Sequence, residues 1–164
     1  MNKHEVMGKI VYGRARLLDL LDQLGPEAET RPVNDGGWTA KDVLAHCIHW
    51  AGQTAFGLGA PLHPPAWVEA AGNEQVSEED WNRRVVDHYR PMSLDIVRRD
   101  FEQVVGAIVD RIRRRDDIDY DARASTVFPW ITSDVPVWKA IGGETFEHWP
   151  SHVADLERAL AGSA

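Results

Sequence analysis

Three histidines stand at spacings that suit a metal site. His148 and His152 are four residues apart, so on a helix their rings can meet over one turn. His46 lies at the edge of the apolar side of another predicted helix. Three neutral imidazoles leave positions open on a divalent ion such as zinc or nickel, which is typical of a catalytic centre that holds water or a thiolate as nucleophile. Histidines that merely border a helical core remain the alternative.

Several other side chains near these histidines could take part in chemistry. Glu144 precedes His148 by four residues and could replace a ligand, act as a base or complete the first turn of a helix, which is the interpretation we favour. Cys47 falls within an apolar arc, which predicts a buried small hydrophobe rather than a nucleophile. His49 points further toward solvent and is predicted to be exposed. A serine triad built on Ser151 lacks a strained turn or an oxyanion donor.

Seven tryptophans are unusual for a chain of this length. Trp50 and Trp149 stand beside the histidine-bearing faces, and with Trp81 they are predicted to wall a pocket for a small molecule. Three further tryptophans fall in predicted loops, which we expect to fold over the core because so much aromatic surface is unfavourable in water. These are Trp67, Trp130 and Trp138.

The elements that must position these residues are helical. Apolar side chains recur at three- and four-residue steps, and Thr39 with Asp42 forms a capping-box pattern before the second helix. We expect long connections over residues 60–76 and 116–132, and breaks or bends at Gly142–Gly143 and at Pro150. The predicted fold is all-α, a four-helix bundle with long crossover connections. Its four predicted helices cover residues 3–24, 40–58, 78–115 and 133–161, and the third is interrupted at Pro91, between residues 90 and 93.

Bulk properties narrow the class of protein. The length of 164 residues suits one domain over residues 1–164. A net charge of −8 argues against a nucleic-acid surface, and no apolar run is long enough to span a membrane. A single cysteine and a polar start without a signal peptide predict a cytoplasmic protein.

Two stretches of the chain resemble the DinB-like superfamily. Residues 37–46, GWTAKDVLAH, are similar to the start of its second helix, and residues 145–156, TFEHWPSHVADL, to its last. Residues 72–74 and 81–84 are similar to the ClbS/DfsB branch. The resemblance implies a four-helix bundle, often dimeric, with His46, His148 and His152 as metal ligands. Relatives include thiol-dependent transferases and isomerases that use mycothiol or bacillithiol, and a hydrolase that opens a reactive cyclopropane.

Three hypotheses for function follow. The first is a metal-dependent hydrolase or thiol transferase acting on a small electrophile, with a low-molecular-weight thiol as a possible second substrate. The second is a metal-free detoxifying hydrolase of the ClbS/DfsB type, with a pocket among its tryptophans. The third is a non-catalytic homodimeric module that binds a small molecule.

Overall fold

The computed structural model describes residues 1–62 and 77–162, and the regular elements within these ranges are six α-helices and two short 3₁₀-helices, Gly25–Glu29 and Ala124–Thr126. Strand-type backbone pairing is limited there to two isolated bridges, Pro32 with Thr39 and Arg123 with Pro136. The predicted all-α class is therefore confirmed. No helix among the described residues is both long and apolar enough to cross a bilayer. The helices are α1 (Lys3–Leu24), α2 (Ala40–Gly57), α3 (Glu78–Tyr89), α4 (Leu94–Arg114), α5 (Val137–Gly143) and α6 (Trp149–Ala161).

Side-chain caps fix where the helices begin. The predicted box at α2 is present: the Asp42 N–H donates to Thr39 Oγ1, and the Thr39 N–H donates to Asp42 Oδ2 at 2.9 Å. Ser77 caps α3 by accepting the Asp80 N–H at 3.1 Å. α1 ends at Gly25, whose φ of 55° lies in the region that favours glycine.

The core lies between α1, α2, α4 and the C-terminal helices. α2 packs along α4 over most of its length and also contacts α3, while α1 packs against α4 and α6. Because α2 is covered on several sides, nearly all its residues from Ala40 to Ala51 are buried. The largest fully buried side chains are Ile10, Leu17, Leu20, Leu21, Leu44, Leu58, Phe101, Ile108, Ile112, Ile141, Trp149 and Leu156.

A buried lysine fastens the end of α3 to the start of α2. Lys41 Nζ donates to the backbone carbonyls of Met92 at 2.9 Å and Arg90 at 3.2 Å, and it pairs with Glu29. These carbonyls lie at and just beyond the end of α3, where a positive charge is favoured. Lys41 is only 8% exposed, so this contact holds α3 against the helix that carries His46.

The final helical region differs from the prediction. The predicted start at residue 133 is wrong, because the chain bends at residues 133–134, Pro136 forms an isolated bridge with Arg123, and α5 begins at Val137. The Ala124 N–H donates to the Val135 carbonyl, and the Val137 N–H donates to the Ala122 carbonyl at 2.9 Å, which ties this segment to the preceding connection. The predicted break at Gly142–Gly143 is confirmed, since α5 ends there and turns cover residues 144–148.

The tryptophans that we expected to fold over the core differ in their burial. Trp138 packs against the core, as expected. Trp130 does not fit the prediction: it is 48% exposed, although its ring contacts the exposed Phe56 and the buried Phe128. Trp67, most of the predicted 60–76 connection and the 72–74 motif lie outside the described residues.

Candidate metal centre

The three imidazoles predicted from sequence come together at one point. His46 Nε2 lies 2.9 Å from His148 Nε2, which lies 3.0 Å from His152 Nε2. The ring centroids are 4.9, 4.9 and 4.8 Å apart, so the rings form a nearly equilateral triangle. The three side chains offer ligand atoms within 4.8 Å of one another. Helices distant in sequence therefore bring their histidines into a single cluster.

The turn before α6 allows the two C-terminal histidines to converge. His148 precedes the helix and His152 lies in its first turn. Pro150, which we expected to bend the chain between them, occupies the first turn of α6, where a missing N–H removes no helical hydrogen bond. The turn is held by the Thr145 hydroxyl, which donates to the Ile141 carbonyl at 2.6 Å, and by the Trp149 N–H, which donates to the Thr145 carbonyl at 2.9 Å.

Hydrogen bonding among the imidazoles does not account for this arrangement. A ring nitrogen has one in-plane direction for a proton or a lone pair, so His148 Nε2 can make only one good hydrogen bond although it has two neighbours at 2.9 and 3.0 Å. Two imidazole nitrogens about 2.1 Å from one divalent ion lie about 3.0–3.4 Å apart, close to the observed separations. The donor set therefore fits a metal ion bound through three Nε2 atoms.

The protonation of the cluster also suits a metal. Burial is the main cause that lowers the pKa of His46, to about 3, and the neighbouring His152 and His148 lower it further. Burial likewise lowers the pKa of His152 to about 4 and lowers that of His148. All three rings are therefore neutral at pH 7, which is the form that binds metal.

Polar and aromatic groups surround His46. Its Nδ1 lies 2.9 Å from Asn82 Oδ1, and Trp50 Nε1 donates to the same oxygen at 3.1 Å. The Trp38 ring packs against His46 with centroids 5.1 Å apart. Trp38 is set in place by the preceding turn, because its N–H donates to Asn34 Oδ1 at 3.1 Å. By contrast, the buried Nδ1 atoms of His148 and His152 have no hydrogen-bond partner among the described residues.

A groove of about 650 Å³ opens along α3. Trp38 and Asn82, which contact His46, form part of its wall together with Glu78, Glu79 and Val86, whereas none of the three clustered histidines lines it. Both polar and apolar groups therefore border an opening that is separated from His46 by the side chains of Trp38 and Asn82.

Glu144 shares the acidic neighbour Glu78 with His148, but it does not lie in the first turn of a helix as predicted. It follows the end of α5 instead of completing the first turn of α6, because the chain turns over residues 144–148. Burial, and then the nearby Glu78 carboxylate, raise the pKa of Glu144 to about 7. Glu78 also opposes the lowering of the His148 pKa, so both groups feel the same carboxylate. Among the described residues, the group of convergent ligand atoms contains the three histidines and not Glu144.

Comparison with known proteins identifies the family. Residues 12–157 match the family model described as the mycothiol maleylpyruvate isomerase N-terminal domain. The chain belongs to this family. The family is a member of the DinB-like superfamily, so the superfamily assignment made from sequence is confirmed, whereas the ClbS/DfsB branch is not supported by this match. No curated protein and no solved structure gave a match.

Two other predictions around the site are wrong. His49 is 3% exposed instead of solvent-facing, because α3 covers this side of α2 and Trp81 stacks on the imidazole at 5.4 Å. Trp149 does not join Trp50 and Trp81 beside the histidines. Neighbouring helix residues point about 100° apart, and Trp149 is fully buried against Phe101, at 5.6 Å, and Gly13.

Two predictions about candidate nucleophiles fit the structure. Cys47 is fully buried, and burial raises the pKa of its thiol, so it acts as a small hydrophobe. The Ser151 hydroxyl donates to the His148 backbone carbonyl at 2.8 Å and lies on an exposed position, which does not support a serine triad.

Sequence reasoning missed the contacts that support the site. The sequence places Asn82 in a stretch similar to the ClbS/DfsB branch and Glu78 at the start of a helix, but it does not predict a role for either. Their spacing of one helical turn can be recognised in the sequence. Their approach to His46 and His148, however, depends on how α3 packs.

Proposed function

We propose that this protein is a metal-dependent enzyme that catalyses attack of a low-molecular-weight thiol on a small electrophilic molecule. The observation that carries the proposal is the convergence of the three Nε2 atoms of His46, His148 and His152. The family name, which refers to mycothiol and to an isomerase, favours a thiol over water as nucleophile. Hydrolysis is the alternative outcome of the same test.

The histidines would hold a divalent ion, zinc or nickel, through neutral nitrogens. Such an ion supplies a positive centre that lowers the pKa of a thiol or of water and polarises a substrate oxygen. The protein itself would have to accept the proton of the thiol. A carboxylate with a pKa near 7 is suited to take up the thiol proton, and we assign this role of general base to Glu144.

The groove beside Trp38 and Asn82 is the proposed route for the small-molecule substrate. A thiolate that adds to an activated double bond and stays attached completes a transfer once the adjacent carbon takes up a proton, which protonated Glu144 would return. A thiolate that leaves again after rotation isomerises the bond and needs no net proton transfer. Both outcomes need a site that shields the reacting carbon from water, and aromatic rings such as Trp38 provide that cover.

Metal binding and thiol chemistry test the proposal. The protein is purified without a polyhistidine tag, stripped with chelator and titrated with zinc and nickel against a chromophoric competitor. We expect one ion per chain, lost in His46→Ala, His148→Ala and His152→Ala but kept in the exposed control His4→Ala. Mycothiol with maleylpyruvate, the compounds in the family name, is the first pair to assay, with and without the ion. Absence of stoichiometric metal, with unchanged thermal stability in chelator, would end the proposal.

A further inference from the structure

The Asn82 side chain is placed to decide which nitrogen of His46 carries the proton. We propose that Asn82 is a positioning residue, whose carbonyl oxygen holds His46 in the Nδ1–H tautomer and so directs its Nε2 lone pair to the other histidines. The expected consequence, tighter metal binding, rests on the proposed function. The tautomer itself follows from hydrogen bonds among protein side chains and does not require a metal.

Trp50 fixes the orientation of the Asn82 amide. The indole Nε1–H can only donate, and it lies 3.1 Å from the Asn82 side chain. The amide atom at that position must therefore be the oxygen. If the amide were turned over, its NH₂ group would face the indole N–H, donor against donor.

The same oxygen sets the proton on His46. Oδ1 lies 2.9 Å from His46 Nδ1, and an amide oxygen can only accept, so Nδ1 must donate. A neutral imidazole has one N–H, which leaves Nε2 with a lone pair. That nitrogen faces His148 Nε2 at 2.9 Å. Trp50 Nε1 is also 3.3 Å from His46 Nδ1, but donation there would require a lone pair on Nδ1 and the unfavourable amide orientation.

His46 alone of the three rings is held in this way within the described residues. The Nδ1 atoms of His148 and His152 have no partner there, so the oxygen of Asn82 is the external support of the cluster in this part of the chain. A group that orients a ligand histidine through its outer nitrogen commonly contributes about 10- to 100-fold to metal affinity. Because Asn82 lies on α3 and His46 on α2, the packing of α3 is thereby coupled to the ligand geometry.

The tautomer can be read directly in the full-length, metal-free protein. Long-range ¹H–¹⁵N correlation spectra distinguish a protonated from an unprotonated ring nitrogen. We expect His46 to be protonated at Nδ1 in the native protein and in Asn82→Asp, whose carboxylate accepts the same N–H. In Asn82→Ala and in Asn82→Leu, which keeps the volume but not the acceptor, we expect a mixture of tautomers or the Nε2–H form. Gln103→Ala, which removes an exposed amide from α4, should leave the spectrum unchanged.

Zinc titration of the same variants gives the second readout. Zinc affinity should fall about 10- to 100-fold in Asn82→Ala and Asn82→Leu, and Asn82→Asp should restore it. An unchanged Nδ1–H signal in Asn82→Ala would overturn the positioning role even if zinc binds normally. If the tautomer changes as expected but the native protein binds no zinc, the positioning of His46 stands and the proposed function fails.

Discussion

Mild acid should destabilise the metal-free protein, because buried histidines resist protonation in the folded state. The pKa values of His46, His49 and His152 fall from about 6.5 to about 3, 4 and 4, chiefly because of burial. Each side chain is under 10% exposed. Between these values and 6.5 the unfolded chain binds protons that the folded chain does not, so stability is lost as the pH falls.

The size of the effect follows from these shifts. Between pH 7.5 and 5.0 each of the three histidines lowers the free energy of unfolding by about 2 kcal/mol. Glu144 acts in the opposite direction, since its pKa is raised to about 7 and the folded state gains about 2 kcal/mol when it binds a proton. The net loss is about 4 kcal/mol, and the lowered pKa of His148 adds to it. The paired carboxylates of Asp22 and Asp117 have lowered pKa values and titrate below this range.

Urea unfolding in chelator, followed by tryptophan fluorescence from pH 7.5 to 5.0, measures this loss. With a urea dependence of about 2 kcal/mol per molar, the midpoint should fall by about 2 M. His49→Gln should remove about 2 kcal/mol of the pH dependence. A midpoint that moves by less than about 0.5 M would refute the conclusion that these rings are buried and neutral.

Three further predictions concern the metal and the packing. Zinc at 100 times its dissociation constant should raise the melting temperature by about 5–10 °C, and His46→Ala should abolish the shift. Gly57→Ala should destabilise by about 1–3 kcal/mol in urea unfolding, because its Cβ would overlap the buried Phe128 ring, whereas Gly52→Ala, with nothing within 4 Å, should be neutral or stabilising. Lys41→Met should cost about 1–3 kcal/mol and speed amide hydrogen exchange in α3, since it leaves the Arg90 and Met92 carbonyls without their donor; unchanged exchange would contradict the anchoring role.

Much of the helical framework could be predicted because it depends on local rules. α1 has the predicted bounds, and α2 starts at its predicted cap, since apolar periodicity and capping are set by residues within one or two turns. The break after α5 was signalled by Gly142–Gly143. The start of α5 was not, because the backbone groups of Val135 and Val137 form hydrogen bonds with Ala124 and Ala122 of the preceding connection, which ends the helical conformation before residue 137.

The sequence allowed us to predict which histidines form the cluster, but not which side chains contact and orient them. His46, His148 and His152 lie at the borders of apolar faces, and the family resemblance implied that they form one metal site. Three features depend on where α3 lies: the burial of His49, the contact of the Asn82 oxygen with His46, and the anchoring by Lys41. The sequence of one amphipathic helix does not indicate which neighbouring helix it will pack against. The predicted place of Trp149 in the pocket wall failed because its partners, Gly13 and Phe101, belong to other helices and hold the ring in the core.

The separation of the ligands along the chain bears on when an ion could be loaded during biosynthesis. His46 and His148 are 102 residues apart, so the first ligand leaves the ribosome long before the other two. A nascent chain has no complete set of donors until α6 has emerged and docked. Metal loading would therefore be confined to chains in which α2 and α6 have already packed together, and a fragment truncated before residue 148 would keep only one of the three proposed ligands.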